Sequence, residues 1–446
     1  MGHSFYVSDI EAWENKLGEV RRLEEEPRTE TVDNAVILPL RYIEGSEKRK
    51  ADWLLEGGVC LADGTFIAGQ NREYLGGECN RGCAQGYEFD VDKVLYRDET
   101  VIYGGILAEH WGHMLVDSAA RLWYPIREEA LEYKTVFLMT PGYEFKFKNL
   151  LDMAGMTEDR YEILTEATQF SRVIIPEETM YSYNGVYNRH WLDFFDRVRD
   201  SVEPAEYEKI YLTRTALSTS NVIGKVVGEE YFEKYFAEKG YKVIAPEQYS
   251  IAEQVSFLAG AREIVTTGGT LSHLALFAHN GISLFTINRI DSTTRMQFAI
   301  DQARELDAFY VDAQKNFLPE TPALSTWLMA PTKYWNEFIR DKFEDNEDAD
   351  YEECEFPRYC LEYIKEWASA LTSERKFRVI KDENLKTIVE RINLVLNNED
   401  VDLSAFDDPK DVIKLKRKNE RLEKKIKKME NSKSWKLTAW MRRRKR

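Results

Sequence analysis

Four side chains in one short stretch, Glu109, His113, Asp117 and Arg121, recur four residues apart. On an α-helix that spacing stacks them along one side, leaving Met114, Leu115 and Leu122 to face a core. An acid, an imidazole, an acid and a guanidinium in a row suit general-base chemistry. A carboxylate one turn away would orient His113 and raise its basicity. The spacing allows either His113 or Asp117 to take a proton, with Glu109 beside them; His113 is preferred because a neutral imidazole titrates near working pH. The plain alternative is an exposed helix laced with ion pairs.

A second constellation lies further along. Glu263–Thr267 reads as a strand that runs into Gly268, Gly269 and Thr270 and then into a helix. Glycines at such a turn let the backbone approach a ligand, and a helix start offers free N–H groups to phosphate. Arg214 follows the strand Lys209–Thr213 directly, at the carboxyl edge where doubly wound sheets bind ligands, and a guanidinium there suits a diphosphate. A surface arginine at a strand end and an unliganded Gly-Gly turn are the bland readings of the same residues. Asp90-Val91-Asp92 spells an acid pair able to hold Mn²⁺ or Mg²⁺ on a diphosphate, although chance supplies such a triplet readily among 78 acidic residues.

The elements that must position these groups divide near Pro204. Before it, short strands are expected at Val36–Leu40, Val59–Leu61, Val94–Tyr96, Val101–Tyr103, Val136–Met139 and Val173–Ile175. Helices are expected over Glu109–Leu131, Lys146–Met153 and Trp191–Val202. After it, strands at Lys209–Thr213, Lys242–Ile244, Glu263–Thr267, Ser283–Asn288 and Ala308–Val311 alternate with helices at Glu229–Lys239, Ile251–Ala259, Leu271–Ala278 and Thr294–Leu306. Ser250 and Glu253 spell a capping box for the second of these helices. Repeated βα units of this kind predict an α/β chain with a doubly wound parallel sheet. Two such domains, 1–204 and 205–326, would face each other across a cleft, followed by a helical extension over 327–408 and a basic tail over 409–446.

Composition narrows the function. The 446 residues carry a net charge of −17, yet from Lys410 to Arg446 there are 17 Lys and Arg against 4 acids. The tail is thus +13 and the remainder −30, a body that repels nucleic acid. Five scattered cysteines fit a reducing compartment better than a disulfide framework. No run of eighteen apolar residues occurs, and Met1–Leu17 lacks the apolar stretch of a secretory leader. A cytoplasmic chain is expected.

Three blocks resemble glycosyltransferase family 61. They are Gly112-His113-Met114-Leu115-Val116-Asp117 with Arg121-Leu122-Trp123; Ile210-Tyr211-Leu212-Thr213-Arg214 with Glu229-Glu230 and Phe236; and Glu247, Gln254, Ala259 and Ala261 with Ile264-Val265 and Gly268-Gly269-Thr270-Leu271. The resemblance implies an inverting, metal-independent transferase of the two-domain GT-B type. Arg214 and Gly268 to Leu271 would then hold the diphosphate. Gln254 and His273 would touch phosphate, ribose or base, and His113 or Asp117 would activate the acceptor hydroxyl. No cofactor is implied beyond a nucleotide-sugar co-substrate, a UDP-sugar foremost. The family's usual His-Gly-Ala-Gly-Leu reads Thr267-Gly268-Gly269-Thr270-Leu271 here, and its usual Asn before Glu229 is Gly228. Both departures lie where the resemblance puts the donor.

The tail adds an address. Val412, Leu415, Asn419, Leu422, Ile426 and Met429 repeat at three and four, a short coiled-coil seam that would pair two copies; a lone amphipathic helix is the alternative. Ser434-Trp435-Lys436-Leu437, Trp440 and Arg442 to Arg446 mix interfacial aromatics with a polybasic end suited to an anionic membrane surface. The expected acceptor is a lipid-linked or polymeric glycan of a bacterial surface, such as capsule or teichoic acid. The competing expectations are a metal-dependent transferase using Asp90 and Asp92, and a non-catalytic scaffold for glycan assembly.

Overall fold

The computed structural model describes residues 2–43, 55–72, 83, 85–216, 225–318, 326–349 and 356–373. The coiled-coil seam and the basic tail lie outside the described residues, as do Cys79 and Cys354.

The second half builds the expected sheet. Six parallel strands run in the order Gly2–Tyr6, Asp307–Asp312, Ser283–Asn288, Glu263–Thr267, Lys209–Leu212, Lys242–Ile244. The apolar runs of the four central strands are buried on both faces, as a covered parallel sheet requires, while the edge strands Gly2–Tyr6 and Lys242–Ile244 are partly exposed. Helices Ile251–Gly260 and Arg295–Ala303 supply side chains to one face, while Glu229–Glu238 and Lys333–Phe343 cover the other through Phe232, Phe236, Trp335 and Phe338. The capping box forms as read: Ser250 Oγ accepts from the Glu253 N–H, and Glu253 accepts from the Ser250 N–H at 2.8 Å. Chain reversal in strand order falls between Lys209–Leu212 and Glu263–Thr267, which makes the crevice at their carboxyl ends the switch point of the sheet. The first strand of the chain sits at the far edge of this sheet, paired in parallel from Gly2↔Asp307 to Tyr6↔Val311.

The other sheet has eight strands and is mixed. Its parallel part comprises Thr168–Pro176, Leu95–Leu107, Lys134–Met139 and Tyr161–Ile163. Thr29–Asp33, Val36–Tyr42, Leu55–Cys60 and Phe66–Ala68 complete it by antiparallel pairing. Val94–Tyr96 and Val101–Tyr103, expected as two strands, merge apart from Val94 into the single thirteen-residue strand Leu95–Leu107, whose first half is largely solvent-facing and whose second half is buried.

Between the sheets, Lys148–Met153 and Trp191–Arg199 pack on Ile251–Gly260, and Trp191–Arg199 also packs on the turn Ser272–Phe277. One hydrophobic core therefore runs from Leu107 and Phe137 of the first sheet to Leu284 and Tyr310 of the second.

Candidate functional site

The expected helix over Glu109–Leu131 is much shorter. Only Trp111–Val116 is α-helical, followed by 3-10 turns at Ser118–Arg121 and Glu128–Ala130. Gln70 explains the break: its Nε2 donates to the Asp117 carbonyl at 2.7 Å, and the chain tightens to i+3 bonds such as Ala120 N to Asp117 O. Arg121 consequently leaves the face it was read onto. It is buried and donates to the carbonyls of Pro176 and Gly69 and to Glu178.

His113 and Asp117 remain together. His113 Nδ1 lies 2.7 Å from Asp117 Oδ2. Ser182 Oγ donates to Asp117 Oδ1 at 2.5 Å, and Arg72 Nε sits 3.2 Å from Oδ2. Burial alone would raise the Asp117 pKa, but the His113 hydrogen bond, the Arg72 charge and Ser182 outweigh it and hold it below the usual carboxylate value. An ionised, triply engaged Asp117 fixes the proton of His113 on Nδ1 and leaves the lone pair on Nε2. Glu109, Gln70 and Thr140 join this pair around a small cavity at the carboxyl ends of strands Leu95–Leu107 and Lys134–Met139.

The glycine turn of the second sheet packs against Gly112, next in the chain to cavity-lining His113. A Cβ on Gly112 would stand 3.0 Å from Thr270 Oγ1, so the two halves touch at the residue before His113. Beyond the turn, the expected helix Leu271–Ala278 is a six-residue 3-10 turn, Ser272–Phe277, too short for a dipole of any consequence. His273 is buried inside it. Gln297 Nε2 donates to Asp301 Oδ1 at 2.9 Å, which turns Gln297 Oε1 toward Ser272 Oγ at 2.6 Å and His273 Nδ1 at 2.9 Å. An amide oxygen only accepts, so His273 carries its proton on Nδ1 and presents a lone pair at Nε2. Burial pushes its pKa down, favouring the neutral ring. Such a ring accepts from a hydroxyl and has no N–H left for phosphate.

Cationic groups gather at the switch point. Arg214 follows one strand of the crevice, and its buried Nε makes no hydrogen bond among the described residues. Arg289, which sequence reasoning missed, follows Ser283–Asn288; the Cβ position of Gly269 lies 2.9 Å from its Nη2. Gly269 has φ +115, where a side chain would be strained as well as obstructed. Glu229 is fully buried within reach of both arginines, and its Oε1 accepts from the Arg214 N–H at 3.3 Å. Burial, with Glu233 adding, pushes the Glu229 carboxyl up to about 8. Arg289 is pushed down by burial and then by the like charge of Arg214.

Residues 111–285, from the His113 helix through the glycine turn, match the family model Glycosyltransferase 61. The chain carries a glycosyltransferase 61 domain. No curated protein matched the chain. The glycosyltransferase domain takes in His113, Asp117, Arg214, Gln254, His273 and Gly268 to Leu271, whereas Glu109 precedes it and Arg289 follows it. As a glycosyltransferase it acts on a nucleotide sugar and a glycan acceptor.

Two sequence candidates stand apart from this convergence. Gln254 Nε2 is spent on the carbonyls of Pro246 and Tyr249, at 2.8 and 3.0 Å. It anchors the turn that carries Glu247, whose charge reaches Arg214. Asp90 caps the exposed turn Val91–Lys93 and pairs with Lys93 at 2.7 Å. That turn precedes strand Leu95–Leu107 while His113 follows it, and a strand of that length separates its ends by roughly 40 Å.

Proposed function

We propose that this glycosyltransferase moves a sugar from a nucleoside diphosphate donor, a UDP-sugar foremost, to a hydroxyl of a bacterial surface glycan, by single inverting displacement without a metal. The two sheets would act as the halves of a GT-B arrangement, with donor on the second and acceptor on the first. One observation carries the reading: the turn Gly268-Gly269-Thr270 meets Arg289 of the guanidinium cluster at Gly269 and meets Gly112, the residue before His113, at Thr270. A diphosphate at the arginines would thus place the sugar beside His113 Nε2.

In that arrangement His113 accepts the proton of the attacking hydroxyl. Asp117 holds the ring and stabilises the imidazolium, a contribution of about 10²–10⁴-fold for the base. His273 Nε2 accepts from a hydroxyl of the sugar or ribose. Arg214 compensates the charge that develops on the departing diphosphate. Glu109 borders the acceptor hydroxyl.

Calorimetric titration with UDP, GDP and CDP, in EDTA and again with Mn²⁺, tests this. Micromolar binding of one nucleotide in EDTA, lost in Arg214→Ala, is the expected result. Binding only with Mn²⁺ would return the role to Asp90 and Asp92, and no binding at all would favour the scaffold. The cellular part of the proposal is a cytoplasmic enzyme docked on the inner membrane face by its polybasic tail and paired through Val412–Met429. No helix of the described residues is long and apolar enough to cross a membrane.

A further inference from the structure

We propose that Arg289, held by Trp327, is a second guanidinium of the diphosphate site and makes the protein select nucleoside diphosphates over monophosphates. The proposal rests on the donor-site reading above and extends it to residues outside the matched domain.

Two arginines brought together repel one another, and burial of each costs further free energy. The chain nonetheless invests several contacts in holding Arg289 there. Its guanidinium carbon lies over the Trp327 ring, 4.2 Å from the centroid, a cation–π contact that restrains the fork. Asn316 clamps the backbone: its Nδ2 donates to the Arg289 carbonyl at 2.7 Å, and its Oδ1 accepts from the Leu328 N–H at 2.7 Å. The short strand Trp327–Leu328 pairs in parallel with Val226–Val227, which leads directly into Gly228 and Glu229. One small ribbon therefore sets Arg289 through Trp327 and carries the chain to Glu229.

Register places the fork over the glycine turn. Thr267 is paired with Ile287, so Gly269 and Arg289 each stand two residues beyond the last pair. The missing side chain at Gly269 leaves room that the Nη2 atom borders at 2.9 Å. On the other side, Leu212 pairs with Thr266, and Arg214 stands two residues beyond Leu212. Arg214 and Arg289 thus flank the Gly268–Gly269 turn, one from each neighbouring strand. Two forks on either side of a backbone turn match two linked phosphates, and a single phosphate leaves one fork unused. Among the described residues, Glu229 faces both arginines and Glu247 faces Arg214.

The test compares UDP with UMP, and likewise GDP with GMP and CDP with CMP, on the full chain by calorimetry. Wild type is expected to prefer the diphosphate of its own nucleotide. Arg289→Ala should weaken that diphosphate roughly 10- to 100-fold while changing the monophosphate by less than about threefold. Trp327→Leu, which leaves the charge but removes its cation–π restraint, should fall between wild type and Arg289→Ala. Should Arg289→Ala fail to fold, Arg289→Lys decides by the same ratio, since it keeps a charge and loses the fork. An unchanged diphosphate preference in the folded Arg289 variant, with the preference lost in Arg214→Ala, overturns the Arg289 assignment alone. A wild type that binds no diphosphate in preference to its monophosphate overturns the donor-site reading and this inference with it.

Discussion

Asp117 Oδ2 lies 2.7 Å from His113 Nδ1 while its Oδ1 accepts a 2.5 Å bond from Ser182. With Arg72 also on the carboxylate, the acid has no idle oxygen for a substrate proton. The two residues therefore take different parts in the proposed reaction, the imidazole moving the proton and the carboxylate positioning the ring.

His113→Ala is expected to lower kcat by about 10²–10⁴-fold and to leave nucleotide affinity unchanged, because the arginines and not the imidazole hold the donor. Asp117→Asn should cost less, by presenting an amide N–H to Nδ1 and so favouring the wrong tautomer. Single-turnover rates alongside calorimetry read both. A larger loss in Asp117→Asn than in His113→Ala, at equal folded fraction, would make the carboxylate the base.

Glu229 gives a stability prediction with a definite sign. Its carboxyl titrates at about 8 in the folded protein against an ordinary 4.5. Between those values the folded state holds a proton that the unfolded chain has released, so stability declines as pH rises. The decline is at most about 1.4 kcal/mol per pH unit and ends near the folded value. Glu229→Gln keeps the neutral form at every pH. Its melting temperature should therefore gain on wild type steadily from pH 5 to pH 8 and no further above that. The partly similar Glu178, raised by burial to about 7, is present in both proteins and cancels. Parallel melting curves across the range would mean that Glu229 is ionised in the fold and paired with the arginines.

Five strands of the second sheet were legible because each is a short apolar run bounded by turn residues, and their order follows from right-handed βα units. Arg214 and the glycine turn were legible for the same reason, being strand ends. Arg289 carries the same signal, directly after Ser283–Asn288, and went unread because only its packing against Gly269 and Trp327 singles it out. The first half was less legible where distant residues decide local structure. Gln70 shortens the His113 helix from more than forty residues away, and Arg72 and Ser182 reach Asp117 from loops with no pattern of their own. Nothing local in Gly2–Tyr6 says that it closes the far edge of the second sheet.

The tail prediction is independent of the site. Residues 433–446 contain seven Lys or Arg beside Trp435 and Trp440, and each basic residue near an anionic bilayer contributes about 1 kcal/mol. Removing Lys433–Arg446 should abolish co-sedimentation with phosphatidylglycerol vesicles at physiological salt while preserving the wild-type melting temperature. Vesicle binding that persists would move the membrane contact to another surface.

Arg304 tests whether the two halves depend on one joint. It is 1 % exposed, donates Nε to the Leu276 carbonyl at 2.8 Å and reaches Asp196 at 2.5 Å and Asn280 at 3.3 Å. Asp196 belongs to helix Trp191–Arg199 of the first half, and Arg199 from the same helix meets both Asp196 and the Ala278 carbonyl. Arg304→Ala would strand a buried carbonyl and remove half of the support of a partly exposed carboxylate. The cost should be roughly 2–4 kcal/mol, below that of a fully buried pair because Arg199 and solvent still reach Asp196. Urea unfolding should show the loss as a lower midpoint, with nucleotide affinity unchanged below the transition, since none of these contacts touches the arginine turn. A nucleotide affinity that falls together with the midpoint would mean that the alignment of the halves itself shapes the donor crevice.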